Sequence, residues 1–207
     1  MQKIMFNDKY CLTKAVLEGR KTQTRRIITN KEMLEIIKKF DTPASLFLVY
    51  DRFVLNTDLR KRFTDNRRVM RYQMNDIVAI AQSYADITPQ ADWANCMIRK
   101  EEIGWTNKMY VKADLMPHRI RITDIRAERL QEISDEDCIA EGIREQYFYS
   151  GEEEPEFEGY SYYAKNVLKP LFCTPREAYA ALIDKISGKG TWERNPYVFV
   201  YEFELIK

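Results

Sequence analysis

The chain has 207 residues, with 33 lysines and arginines against 32 aspartates and glutamates, and its net charge is +1 at neutral pH. This length suits one domain with a sizeable core, since two domains would each be small. The near-neutral charge excludes a general attraction to nucleic acid, so any basic surface has to be local. No apolar run approaches membrane-spanning length, and residues 1–10 lack the apolar core of a signal peptide, so a cytoplasmic protein without a membrane partner is expected.

The cysteines do not form a metal-binding or disulfide pattern. Cys11, Cys96, Cys138 and Cys173 are far apart and form no CxxC pair, and His118 is the only histidine. Structural zinc sites and disulfide frameworks require closer or paired spacings. The sequence therefore predicts free thiols, and it predicts neither a metal nor a cofactor.

A short helix is predicted near the N-terminus. Leu12, Ala15 and Val16 fall on one helical face, which indicates the side that packs on the core. Gly19 stands where this helix should end, because glycine adopts the left-handed conformation common at helix C-termini.

A β-strand is predicted over residues 22–28, directly after this helix. Alternation places Thr24 and Arg26 on one side of the strand and Arg25 on the other. Lys21 precedes the strand on a long flexible side chain. We therefore expect Lys21, Thr24 and Arg26 to line one concave surface.

Further elements follow from apolar patterns and helix-start signals. Strands are predicted over residues 77–81, 110–113, 119–127 and 197–206, where apolar residues run together or alternate. Ser134 begins a short helix that ends at Gly142, and Thr174 begins a longer one with proline in its first turn. Tyr179, Leu182, Ile183 and Ile186 mark the buried stripe of that longer helix.

The chain is interpreted as one domain over residues 1–207, with insertions at about 31–72, 86–108 and 144–166. The last insertion is distinctive because six glutamates alternate with seven aromatic residues over residues 145–163. Such acidity is unsuited to binding a polyanion. The segment is interpreted as a cover over the domain, as a lid, or as a surface that docks a protein partner.

The spacing Gly19-x-Lys21-x-x-Thr24-x-Arg26 matches the signature of the ASCH family, and the chain resembles the members found in phages and in bacterial genomes that carry them. Residues 75–80, 119–142 and 192–196 resemble the same subgroup in family order. The resemblance covers about half of the chain. It implies an α+β fold in which a PUA-like β-barrel is decorated with several helices.

The first functional hypothesis is ligand binding in a basic cleft. PUA-like folds generally bind RNA, so the resemblance implies RNA or a modified nucleoside as the partner. The residues expected at this cleft are Gly19, Lys21, Thr24, Arg25, Arg26 and Gln82. A structural alternative is that the cations form an ordinary basic strand edge, which would discourage edge-to-edge pairing.

The second hypothesis is amide hydrolysis. Some small ASCH proteins are amidohydrolases of acetylated cytidine, and the resemblance assigns catalysis to Lys21, to Thr24 and to a glutamate soon after the strand at 77–81. A lysine kept neutral by burial and nearby cations can accept the threonine proton. The glutamate position is Gln82 here, and an amide cannot protonate the leaving amine. Asp86 or another acid would have to replace it, so binding ranks above hydrolysis. A third hypothesis is a phage-derived protein-interaction module that uses residues 145–163.

Overall fold

A computed structural model describes residues 1–31, 34, 35, 37, 71–87, 103–148, 156–162 and 171–206. Its centre is a five-stranded sheet with the strand order β1-β3-β4-β7-β2. These strands are β1 (Lys3–Ile4), β2 (Gln23–Ile27), β3 (Ile77–Ile80), β4 (Arg119–Arg129) and β7 (Tyr197–Ile206). Two further strands, β5 (Arg144–Phe148) and β6 (Glu156–Ser161), pair in a separate two-stranded sheet.

The sheet is mixed, since β1 is parallel to β3 and the other neighbours are antiparallel. Its longest ladder joins β4 and β7, with a register shift between Ile122 and Asp124. In β4, the buried side chains of Ile120 and Ile122 alternate with the exposed Arg121, as a strand with one face on the core requires. The fold is therefore mixed α and β, and among the described residues no strand pairing closes this sheet into a barrel.

Among the helices whose bounds the structure describes, all but one are short. They are α1 (Leu12–Leu17), α2 (Tyr84–Ile87), α3 (Asp135–Ala140), α4 (Pro175–Ser187) and α5 (Thr191–Arg194). Single turns of 3-10 helix occur at Asp8–Tyr10, Lys108–Tyr110, Ala113–Leu115 and Leu130–Glu132. The predicted caps are confirmed, because the side chains of Ser134 and Thr174 accept hydrogen bonds from backbone amides at the start of α3 and α4. No helix in the described ranges is long and apolar enough to cross a membrane.

The strand predicted over 110–113 is wrong. The chain forms the 3-10 turns Lys108–Tyr110 and Ala113–Leu115 there instead. The ammonium of Lys3 donates to three carbonyls of this segment at distances between 2.5 and 3.0 Å. Carbonyls gathered around one cation are not available to a β-ladder, so a distant lysine overrides the local strand pattern.

Most residues of the predicted insertions lie outside the described ranges. In the third insertion the described residues form the hairpin of β5 and β6, and Tyr147 and Phe157 on it are exposed. Their rings meet edge to face, with centroids 5.8 Å apart. The proposed protein-docking role of this segment stays a prediction.

Several contacts bring α1, α3 and α4 to the beginning of β2. The amide of Thr22 donates to the carbonyl of Ala140 at 2.9 Å, which attaches β2 to the end of α3. Gly142 follows α3 with a φ of +107°, and a Cβ there would lie 3.4 Å from Leu12 of α1 and 3.7 Å from Lys21. Glycine thus permits both the turn and the close packing that bring α3 against Lys21.

Candidate functional site

A cavity of about 580 Å³ lies between the N-terminal segment, β2 and α4. The apolar lining consists of Met5, Phe6, Leu12 and Ile27 together with an apolar wall on α4, which is formed by Leu182, Ile183 and Ile186. The charged and hydroxyl-bearing residues that contribute to the lining include Asp8, Lys21, Thr24, Arg25, Arg26, Lys108, Glu141 and Tyr179. Small-molecule sites commonly combine this size with an apolar wall and a few convergent polar groups.

The structure brings together four of the six residues predicted for the site. Lys21, Thr24, Arg25 and Arg26 line the cavity, whereas Gly19 and Gln82 do not. The expectation that Lys21, Thr24 and Arg26 share one concave surface is therefore confirmed. Whether any of them binds a ligand stays a prediction.

Gly19 and Gln82 have other surroundings. Gly19 has a φ of +74°, the left-handed conformation that ends α1 and turns the chain toward Lys21. Gln82 is 4% exposed just beyond β3, and no hydrogen bond reaches its Oε1 atom within the part of the chain that is described. Asp86, the other acid considered after this strand, accepts hydrogen bonds from Ser83 and is not among the residues that line the cavity.

Lys21 is held in a buried ion pair. Its side chain is 1% exposed, and its Nζ atom lies 2.5 Å from Oε2 of Glu141 and 2.7 Å from the Glu141 carbonyl oxygen. Burial lowers the pKa of Lys21, while attraction to the Glu141 carboxylate acts in the opposite direction. Because the pKa is lowered on balance, Lys21 loses its proton more readily than a lysine in water does.

Arg25 shares the same carboxylate but has more partners. Its Nη1 atom lies 3.3 Å from Glu141, and its Nη2 atom lies 2.7 Å from Glu128 and 2.6 Å from Asp137. Burial acts to lower the pKa of Arg25, but the surrounding carboxylates raise it above its ordinary value. Arg25 therefore keeps its charge, and these carboxylates are engaged with guanidiniums. Across the described segments, no group of three or more His, Cys, Asp or Glu side chains is arranged to hold a metal ion.

Alternation along β2 separates the two neighbouring arginines. Arg25 points to the carboxylate cluster, whereas Arg26 is exposed and its Nη2 atom donates to the carbonyl of Met5 at 2.6 Å. Lys21 thus shares Glu141 with Arg25, whereas the sequence-based prediction grouped Lys21 with Arg26. Lys21 lies two positions before β2, so alternation along the strand places it on the same side as Arg25.

The cavity is less basic than its residue types suggest. Lys21 and Arg25 are paired as described, and Nζ of Lys108 lies 2.7 Å from Oδ2 of Asp8. In the described structure, Arg26 is the lining cation that has no carboxylate partner. The electric fields of a cation and its paired carboxylate largely cancel for a ligand in the cavity, so the cavity attracts a polyanion only weakly.

Two residues of the cavity lining, Thr24 and Tyr179, carry hydroxyl groups. Thr24 is 5% exposed and Tyr179 is 2% exposed. Neither hydroxyl makes a hydrogen bond with another residue in the described ranges. Burial raises the pKa of Tyr179 well above its ordinary value, so its phenol stays protonated.

Sequence reasoning missed Glu141 and did not assign Tyr179 to the site. Glu141 stands 120 positions from Lys21 and belongs to no motif with it. The sequence contained one indirect signal, namely that Glu141 directly precedes Gly142, the residue predicted to end the helix. Tyr179 was predicted to be buried, which is confirmed, but the stripe on α4 did not indicate that it faces a cavity.

Comparisons of the chain with protein-family models, with curated proteins and with solved structures found no match. The resemblance to the ASCH family therefore stays a prediction.

Proposed function

We propose that the protein is an ASCH-type amidohydrolase with a PUA-like fold, whose cavity binds an acetylated cytidine-like nucleoside and hydrolyses its amide bond. The observation that supports this most directly is the 2.5 Å contact between Lys21 and Glu141. Glu141 provides the carboxylic acid that Gln82 cannot provide. Thr24 lines the same cavity and supplies the hydroxyl nucleophile.

The ion pair of Lys21 and Glu141 accounts for the protonation states that the reaction needs. Transfer of one proton from Nζ to Oε2 converts ammonium and carboxylate into amine and carboxylic acid without changing the total charge. Burial favours this neutral form relative to water.

In the acylation step, Oγ1 of Thr24 attacks the carbonyl carbon and its proton passes to the amine of Lys21. The carboxylic acid of Glu141 gives its proton to the departing nitrogen as the C–N bond breaks. This restores the ion pair and leaves an ester on Thr24. Water then attacks the ester and gives one proton to the Glu141 carboxylate, while the ammonium of Lys21 protonates Oγ1 of Thr24 as the ester C–O bond breaks. This releases acetic acid, restores the threonine hydroxyl and returns the pair to amine and carboxylic acid.

Substrate class follows from the charge balance. Three of the four lining cations are paired with carboxylates, so an uncharged ligand loses little by entering the cavity. The apolar wall on α4 suits a planar base or an acyl group. RNA binding remains a second candidate, supported by the exposed guanidinium of Arg26 at the cavity.

The test is acetate release from cytidine acetylated on its exocyclic amine. Wild-type protein is expected to turn over this substrate, Thr24→Ala to lose the activity, and Thr24→Ser to retain part of it. Glu141→Gln should lower kcat by about 10²- to 10⁴-fold, the usual contribution of a general acid. Glu204→Gln is the matched control, because Glu204 is exposed and pairs with Arg121 on the surface. Absence of turnover by wild-type protein at high concentration would reject hydrolysis of this substrate.

A further inference from the structure

The hydroxyl of Tyr179 makes no hydrogen bond with the residues that the structure describes. The residue is 2% exposed, and it lines the cavity from the first half of α4. Tyrosine hydroxyls on mostly buried rings usually find a hydrogen-bond partner. A ligand in the cavity can supply the acceptor that the described residues do not.

Tyr72 shows what a structurally used tyrosine looks like in the same protein. It is also 2% exposed, and its hydroxyl donates to the carbonyl of Lys3 at 3.0 Å. Tyr72 is not among the residues that line the cavity. The contrast separates a phenol that stabilises the fold from one that is available to a ligand.

We infer that the Tyr179 hydroxyl donates a hydrogen bond to the carbonyl oxygen of the acyl group on the bound ligand. This inference rests on the proposed amidohydrolase function and adds a contact that the sequence motif does not contain. Tyr179 also lies near the proposed proton-transfer group Glu141: burial raises the pKa of the phenol, and the charge of Glu141 helps to raise it.

The position of the phenol is well defined before a ligand binds. Its ring meets the ring of Trp192 edge to face, with centroids 6.3 Å apart and an interplanar angle of 78°. Burial raises the pKa of the hydroxyl, so it remains a donor at neutral pH. A fixed donor contributes most where negative charge develops, which in amide hydrolysis is the carbonyl oxygen of the tetrahedral intermediate.

The experiment compares Tyr179→Phe with Tyr72→Phe. For Tyr179→Phe we expect kcat on acetylated cytidine to fall by about 10²- to 10³-fold, as for loss of one oxyanion donor, with a smaller change in KM. Its thermal unfolding midpoint should stay at the wild-type value, because no protein hydrogen bond is lost. Tyr72→Phe should do the reverse, lowering the midpoint while leaving kcat unchanged.

Calorimetric binding of the same nucleoside to a Thr24→Ala background separates this inference from the proposed function. If wild-type protein shows no turnover but Tyr179→Phe weakens binding by about fivefold to tenfold, the hydrolase proposal fails and the Tyr179 contact stands. If turnover is present and Tyr179→Phe retains full kcat, the contact is rejected and the hydrolase proposal stands. An unfolding midpoint lowered as much as in Tyr72→Phe would reveal a structural partner and overturn the inference, and so would absence of nucleoside binding by every variant.

Discussion

Glu141 joins two buried cations whose surroundings differ. Lys21 pairs with this one carboxylate, whereas Arg25 also contacts Glu128 and Asp137. Burial with one partner lowers the pKa of Lys21, while the additional carboxylates raise that of Arg25. The two cations on this carboxylate therefore differ in chemistry, since Lys21 can release its proton whereas Arg25 keeps its proton.

The Arg25 side of this cluster is continuous with the sheet. Arg126 on β4 contacts Glu128, Asp137 and Glu202, so the network connects β2, β4, β7 and the first turn of α3. Gln23 adds hydrogen bonds to Asp137 and Glu202. The Arg25 side of the cluster therefore holds these strands and α3 in position, whereas the Lys21 side faces the cavity.

The largest expected effect is on stability. Arg25→Met removes a fully buried guanidinium and takes one cation away from the carboxylates of Glu128, Asp137 and Glu141, which should cost about 3–5 kcal/mol of unfolding free energy. Arg26→Met is the matched control on the next residue and should change it by less than about 0.5 kcal/mol, because Arg26 is exposed. Urea denaturation of both variants measures the difference. Equal effects would contradict the division between the two arginines.

Acid should weaken the Arg25 side of the cluster with a smaller effect. Burial acts to raise the pKa of Asp137, but hydrogen bonds from Arg25 and Gln23 hold it below its ordinary value of 3.8. A carboxyl group whose pKa is lower in the folded than in the unfolded protein stabilises the fold while it is ionised. This stabilisation is fully present above the ordinary pKa and is lost as the pH falls through the lowered pKa of the folded protein. Unfolding free energy measured between pH 6 and pH 3 should therefore decline.

Asp137→Asn is the control for this acid effect. The variant should be less stable than wild type at pH 6, and its stability should decline less steeply toward pH 3. An unchanged slope would show that other carboxyl groups cause the decline.

The smallest expected effect concerns ligand charge. Adding a 5′-phosphate to the acetylated nucleoside should strengthen its binding to Thr24→Ala protein by no more than about fivefold, the contribution of one exposed ion pair. Arg26→Gln should remove this gain, because the other lining cations are already paired. A gain of about a hundredfold would show that the cavity holds more free positive charge than the pairing indicates.

Sequence patterns predicted the parts of the fold that depend on neighbouring residues. The capping residues Ser134 and Thr174 begin α3 and α4 as expected, since a side chain and an amide three residues away decide the start. The alternation along β2 correctly separated the exposed Arg26 from Arg25, which enters the carboxylate cluster, although both residues line the cavity. The strand predicted over 110–113 is wrong, because the chain forms 3-10 turns there and Lys3 of β1 binds the carbonyl of Val111 and those of Lys108 and Met109 just before the predicted strand.

The chain alone thus specified the motif strand, the helix boundaries and the separation of Arg25 from Arg26, because these follow from periodicities of two and 3.6 residues. Tertiary structure decided the chemistry of the cavity. It brought Glu141 to Lys21 from the end of α3, gave Arg25 its carboxylate partners, and placed Tyr179 in the cavity lining. Such placements depend on packing between segments more than a hundred residues apart, which no local pattern encodes.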